Sequence, residues 1–112
     1  MTRECWLVKK GTVVASAERA STRRERRRGL LGRNDLEGAL VLDRTKCVHT
    51  VGMRFPIDVA HVDPKGTVLR VSHLKPNRVG AYVHTAAWII EARAGAFERW
   101  GLRVGDELEL RE

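Results

Sequence analysis

Apolar residues occur in short runs, the longest being the five from Ala86 to Ile90, and polar or turn-forming residues break every one. Runs of this length predict strands rather than long helices. Cys5 to Val8 and Thr12 to Ala15 read as two strands, with Lys9-Lys10-Gly11 as a tight turn in which Gly11 is free to take positive φ. Ala39 to Leu42, Arg54 to Val62 (interrupted early by Pro56), Thr67 to Leu74 and Ala87 to Ala92 follow as strands. Asp63-Pro64-Lys65-Gly66 is a turn signal, because proline presets φ and glycine ends the turn, so 57–74 reads as a β-hairpin. Pro76-Asn77 breaks it, and 75–86 reads as a loop. In the last strand, Glu107 to Leu110, leucine alternates with glutamate, which buries one face and wets the other.

Two segments carry helix signals instead. Thr22-Arg-Arg-Glu25 matches a capping box, in which the hydroxyl and the glutamate each satisfy a free N–H of the first turn. It predicts a helix from Arg23 to Leu31, stopped by Gly32. Gly95 to Trp100 predicts a second short helix, stopped by Gly101. About seven strands and two short helices with local connections give a mainly β (α+β) fold. We expect a compact antiparallel β-barrel-like or sandwich domain comprising residues 1–112 as one unit.

Composition agrees with a folded domain: 112 residues, 43% hydrophobic and 31% charged. No run is long enough for a transmembrane helix, and MTRECWLVKKG lacks the apolar core of a secretory signal. The expectation is a cytoplasmic protein with no membrane partner and with Cys5 and Cys47 reduced, although two cysteines also permit one disulfide. Neither lies in a CxxC pair, and no cofactor or metal centre is expected.

Charge changes the picture in one place. Residues 19–28 hold Arg19, Arg23, Arg24, Arg26, Arg27 and Arg28 against Glu25, so +5 of the net +7 falls in ten residues. Such a patch attracts phosphate, nucleic acid or an acidic partner, or is a solvated face that aids solubility. Arginines four apart, Arg23–Arg27 and Arg24–Arg28, repel each other on a helix.

The densest chemistry lies in Cys47 to Asp63, CVHTVGMRFPIDVAHVD. In an extended strand Ile57, Val59 and His61 share one face, and Asp58, Ala60 and Val62 the other. Both faces are largely apolar, which predicts a central strand covered on both sides. A buried carboxylate there must be paired, hydrogen-bonded or protonated. Arg54, Arg93, Thr50 and the backbone N–H groups of residues 50–53 are the candidate partners of Asp58. Glu91, beside Ile89 and Ile90, poses the same problem. The two acids are either a carboxylate pair in a pocket or two buried anchors, and anchors are favoured because no nucleophile or base stands at a recognisable spacing. Cys47, His49 and Met53 share strand parity, a donor set that would suit a soft metal such as Cu(I), or Cys47 and His49 form a nucleophilic pair. Core packing is the plainer reading of Cys47 and Met53. His61, His73 and His84 read as satisfied histidines, and Trp6, Trp88 and Trp100 as core.

These residues resemble a known family, the domain of unknown function 192. The resemblance runs from about Val13 to Leu110. It rests on Glu25, Arg27, Gly29 and Leu30, on His49-Thr-Val-Gly-Met53 followed by Pro56-Ile-Asp58-Val59, on Asp63 with Gly66, on Glu91 to Gly95, and on Gly101-Leu-Arg-Val-Gly105-Asp106. The commoner family pattern has a tryptophan-methionine-lysine-asparagine-threonine run before the proline, where this chain has HTVGMRF. The resemblance implies a compact, mostly antiparallel β-barrel-like fold and no established activity.

The residues support best a non-catalytic binding module. It would recognise a small molecule or a protein through the His49–Phe55 loop and nearby carboxylates, with His49, Thr50, Met53, Arg54, Asp58 and Glu91 as ligand-binding residues. One alternative is nucleic-acid binding through the Arg-rich helix 19–28, using Arg23, Arg24, Arg26, Arg27 and Arg28. The other is a hydrolase-like enzyme using Asp58, His49 or Cys47.

Overall fold

A computed structural model describes residues 2–112, and its strands lie where the apolar alternation predicts them. The order is β1 (Arg3–Lys9), β2 (Thr12–Ala20), α1 (Arg23–Arg28), β3 (Ala39–Asp43), β4 (Ile57–Val62), β5 (Val68–Leu74), β6 (Trp88–Arg93), α2 (Ala96–Trp100) and β7 (Leu108–Arg111). They form one sheet in the order β5-β4-β6-β3-β2-β1-β7. Every neighbouring pair is antiparallel except β2 and β3, which are parallel and are joined by the crossover that carries α1. The β1–β2 hairpin turns at Lys10 and Gly11, whose φ values of 51° and 76° are those a type I′ turn requires.

The two ends of the sheet curl back towards each other. An isolated bridge links Thr67 to Glu107, and Val68 N–H donates to Asp106 O and Leu108 N–H to Gly66 O, both at 2.8 Å. The result is the mainly β, barrel-like architecture expected. Every residue of β4 is buried, as are the residues from Ile89 to Ala92 of β6. Two apolar clusters cover their two faces. One holds Val41, Ala60, Val62, Ile90 and Ala92 against Phe97 of α2 and Leu102. The other holds Leu40, Leu42, Ile57, Val59 and Ile89 against Leu30, Val48, Met53 and Phe55. Each such fully buried aliphatic side chain contributes about 1.5–3 kcal/mol.

The differences from expectation are local. β2 continues to Ala20, because pairing with β1 and β3 overrides the weak strand preference of its alanine, serine and glutamate. That places Arg19 on a strand, not in the helix. α1 ends at Arg28 because Gly29 already takes positive φ and its N–H bonds back to Glu25 O. β4 starts at Ile57, just after the proline. Trp6 is 51% exposed and is no part of the core, while Trp88 and Trp100 pack against it. Cys5 and Cys47 are both free thiols. Among the described residues no helix is long and apolar enough to cross a membrane.

Gly66 sits where the two ends of the sheet approach each other. Its φ is +93°, and a Cβ there would stand 2.3 Å from Leu108 O, whereas a Cβ on Gly11, also at positive φ, would meet nothing within 4 Å. Gly66→Ala is therefore expected to lose at least about 2 kcal/mol more unfolding free energy than Gly11→Ala in urea denaturation. Equal losses would show that the bridge between the sheet ends gives way without cost.

Candidate ligand-binding site

Asp58 is fully buried and faces the α2 side of the sheet. Its carboxylate accepts the N–H of Gly95 at 3.0 Å and of Phe97 at 3.1 Å, and its other oxygen meets His73 Nδ1. α2 needs this, because its N-cap is Gly95, which has no side chain to satisfy the free N–H groups of the first turn. The partners expected from the sequence are engaged elsewhere. Arg54 donates to Asn34 Oδ1 at 2.9 Å, and Arg93 pairs with Asp35 at 3.5 Å. The Thr50 hydroxyl donates to Lys75 O at 2.5 Å and accepts from Arg78 N–H at 2.9 Å. Thr50 thus ties down the loop after β5. Asp58→Ala is expected to cost about 3–5 kcal/mol of stability, and to release the Gly95 and Phe97 amides to hydrogen exchange. A loss below about 1 kcal/mol would remove the anchor role.

Glu91 lies on the opposite face. Across β4 it stands beside Val59, while Asp58 stands beside Ala92, so alternation sends the two carboxylates to different sides and they form no pair. Glu91 is only 3% exposed, and among the described residues it has no hydrogen-bond or ion-pair partner. Burial alone pushes its carboxyl up to about 7 from an ordinary 4.5. A Cβ added at Gly29 would come within 3.9 Å of Glu91 Oε1, so the carboxyl sits directly beneath the end of α1.

Between α1 and the segment after β3 lies a cleft of about 310 Å³. Arg23, Arg26, Arg27 and Arg28 line it with Leu30 and Leu31 on one side, Leu42, Cys47, Val48, His49 and Met53 on the other, and Glu91. The helix is held over it by local bonds. Glu25 N–H donates to Thr22 Oγ1 at 3.1 Å, and Glu25 Oε1 accepts from the N–H groups of Thr22 at 3.0 Å and Ser21 at 3.1 Å, which completes the capping box. The backbone bond from Thr22, with the others, holds the Glu25 carboxyl down at about 2. Arg26 Nη1 donates to Asp43 O at 3.1 Å. Arg19, on β2, chelates the Asp43 carboxylate at 2.9 and 3.0 Å and so leaves the basic patch. Arg23, Arg24, Arg27 and Arg28 are exposed and have no hydrogen-bond or ion-pair partner among the described residues.

The structure therefore brings His49, Met53 and Glu91 to one cleft with the arginine helix, and leaves Thr50, Arg54 and Asp58 out of it. Arg24 points away from its lining. Cys47 lines the same cleft, with its thiol 3.5 Å from Gly80 O, and His49 Nδ1 accepts from Val51 N–H at 3.2 Å. Among the described residues no three His, Cys, Asp or Glu side chains gather as a metal site. His73 is a satisfied histidine, as the sequence reading has it, and His61 is satisfied at one nitrogen only. His73 is the surface partner of a buried acid. His61 is buried, donates from Nε2 to Ala81 O at 2.9 Å and leaves Nδ1 unpartnered, and burial lowers its pKa.

The Glu91 shift has a definite sign. A carboxyl raised in the native state contributes stability that is fully present below its unfolded value near 4.5 and is lost as pH rises through about 7. Relative to Glu91→Gln, the native protein is expected to lose on the order of 3 kcal/mol between pH 4.5 and pH 8, read from urea unfolding of both proteins. A difference that stays flat across that range would show a solvated carboxyl.

The sequence profile of the domain of unknown function 192 family (DUF192, described as uncharacterized ACR) matches residues 6–110. No curated protein matches the chain. Two crystal structures share the fold. One is a protein of unknown function from Novosphingobium aromaticivorans, with a TM-score of 0.79 and 18% identity over 96% of this chain and 84% of that one. The other, from Sinorhizobium meliloti, is described as a candidate transcription regulator, with a TM-score of 0.76 and 19% identity over 98% of this chain and 94% of that one. At these identities the likeness concerns the fold. The chain belongs to the DUF192 family.

Proposed function

We propose that this DUF192 domain is a binding module with no chemistry of its own, acting in the cytoplasm and taking a small organic anion into the cleft under α1. One observation carries the reading: Arg23, Arg26, Arg27 and Arg28, which lack acidic partners among the described residues, line a cleft with His49, Met53 and Glu91. Apolar walls with a few convergent polar groups are the ordinary make-up of a small-molecule site. Unpaired guanidinium groups suit phosphate or carboxylate. Joint catalysis by Asp58 with His49 or Cys47 is disfavoured, because Asp58 lies on the far face of the sheet with its oxygens already engaged.

Nucleic acid is the second reading, and Arg24 favours it, since this arginine is exposed, unpaired and outside the cleft lining. Titrating the isotope-labelled protein with ethyl phosphate, and separately with a ten-nucleotide single strand, separates the two. The cleft reading expects ethyl phosphate to shift the amides of α1, 45–53 and 91, and expects R27Q/R28Q and His49→Ala to weaken binding several-fold without unfolding. Shifts elsewhere, or none at tens of millimolar, would reject it. A strand that binds far tighter than ethyl phosphate, with affinity falling steeply in salt and a slope flattened by Arg24→Glu, would select the nucleic-acid reading instead.

A further inference from the structure

Resting on the cleft reading above, we propose that the ligand is a small zwitterion: a phosphate or carboxylate held by the arginines of α1, joined by a short spacer to a protonated amine that sits on Glu91. The cleft carries two charges of opposite sign that do not satisfy each other. Among the described residues Arg27 and Arg28 have no acidic partner, and the Glu91 carboxylate, buried to 97% of its surface, has no donor. Burial is the one cause that perturbs the Glu91 carboxyl, so no arginine charge compensates it where the helix now stands. A buried carboxylate without a donor is a costly group to keep, and a ligand that brings one removes the cost.

A plain anion answers only the arginines and adds a like charge above Glu91. A plain cation answers only Glu91 and meets the arginines on its way in. A molecule with an anionic end and an ammonium end complements both. Leu30, Leu42 and Met53 line the same cleft, and such apolar walls exclude water and strengthen charged contacts. The volume, about 310 Å³, is at the small end of ligand sites and suits a compound of few atoms.

Matched pairs that differ only by the amine test this: O-phosphoethanolamine against ethyl phosphate, and β-alanine against propionate, by calorimetric or NMR titration. At pH 8 the amine member of one pair is expected to bind about tenfold or more tightly than its partner, the size of a charge-assisted hydrogen bond. The pair that shows the preference tells whether the anionic end is phosphate or carboxylate. The preference should shrink at pH 5.5, where Glu91 is protonated, and vanish in Glu91→Gln. The other charged or titratable groups lining the cleft with Glu91 are the α1 arginines, Cys47 and His49; β3 offers Leu40 and Leu42 on that face, and β4 offers Ile57, Val59 and the buried His61. Comparison with the Glu91→Gln protein isolates the Glu91 contribution from that of every neighbouring group. Equal binding within both pairs would overturn the zwitterion while leaving the cleft as an anion site. A preference that survives Glu91→Gln would overturn it too. Binding by none of the four would remove both the zwitterion and the cleft reading.

Discussion

The Asp58 carboxylate holds the α2 corner of the sheet to β4. It accepts two backbone N–H groups from the start of α2, a helix too short to be stable alone and capped by a glycine with no side chain to help. α2 in turn lays Phe97 on the face of the sheet that holds Ile90 and Val41. Without the carboxylate, two buried N–H groups would be unsatisfied at the point where that face is sealed. One charged residue inside an apolar strand thus organises one whole side of the domain.

The other side is closed differently. No strand or long helix covers Val59, Ile89 and Leu40. Their cover is the six-residue α1 and the irregular segments 44–55 and 75–86, which are joined to each other by an isolated bridge, His49 to Val79, and by backbone and side-chain bonds. Lys46 Nζ donates to His84 O at 2.7 Å and Ala86 O at 2.6 Å, and Thr50 holds Lys75 and Arg78. Val48, Met53 and Phe55 of this cover pack onto the sheet, and irregular connections of this kind open locally more readily than strands and helices. The cleft lies in it. The dry, fully bonded face gives the fold its rigidity, and the stapled face leaves room for a ligand.

Much of this was legible in the sequence, and what was not has physical reasons. The seven strands show because short apolar runs separated by turn residues have few other uses. The capping box shows because its chemistry is local. The burial of Asp58 follows from parity alone, but its partners do not. The β4–β5 ladder has a bulge between His61 and Val62, which moves the register by one residue. Counting back from the Asp63–Gly66 turn without it puts Ser72 opposite Asp58, whereas the structure puts His73 there. That Asp58 and Glu91 face opposite sides requires the β4–β6 register, a pairing between strands some thirty residues apart that no local signal encodes. The convergence of the arginine helix with His49 and Met53 is likewise a product of the parallel β2–β3 crossover, which carries α1 over the same face as the 47–53 segment.

Two features of this chain work against its stability, and they meet. α1 stacks arginines four apart, and none of its residues is buried. Arg26 alone among them has a structural bond, to Asp43 O, and the helix is fixed by its cap and by Leu30 just beyond its end. Glu91 sits in an apolar strand where leucine or glutamine would be less costly. Solubility explains exposed arginines but not a buried acid beneath them. A structural anchor explains Asp58, which has three partners, but not Glu91, which has none among the described residues. A ligand bearing both charges accounts for the two together, because each then becomes half of one recognition surface held apart by apolar walls.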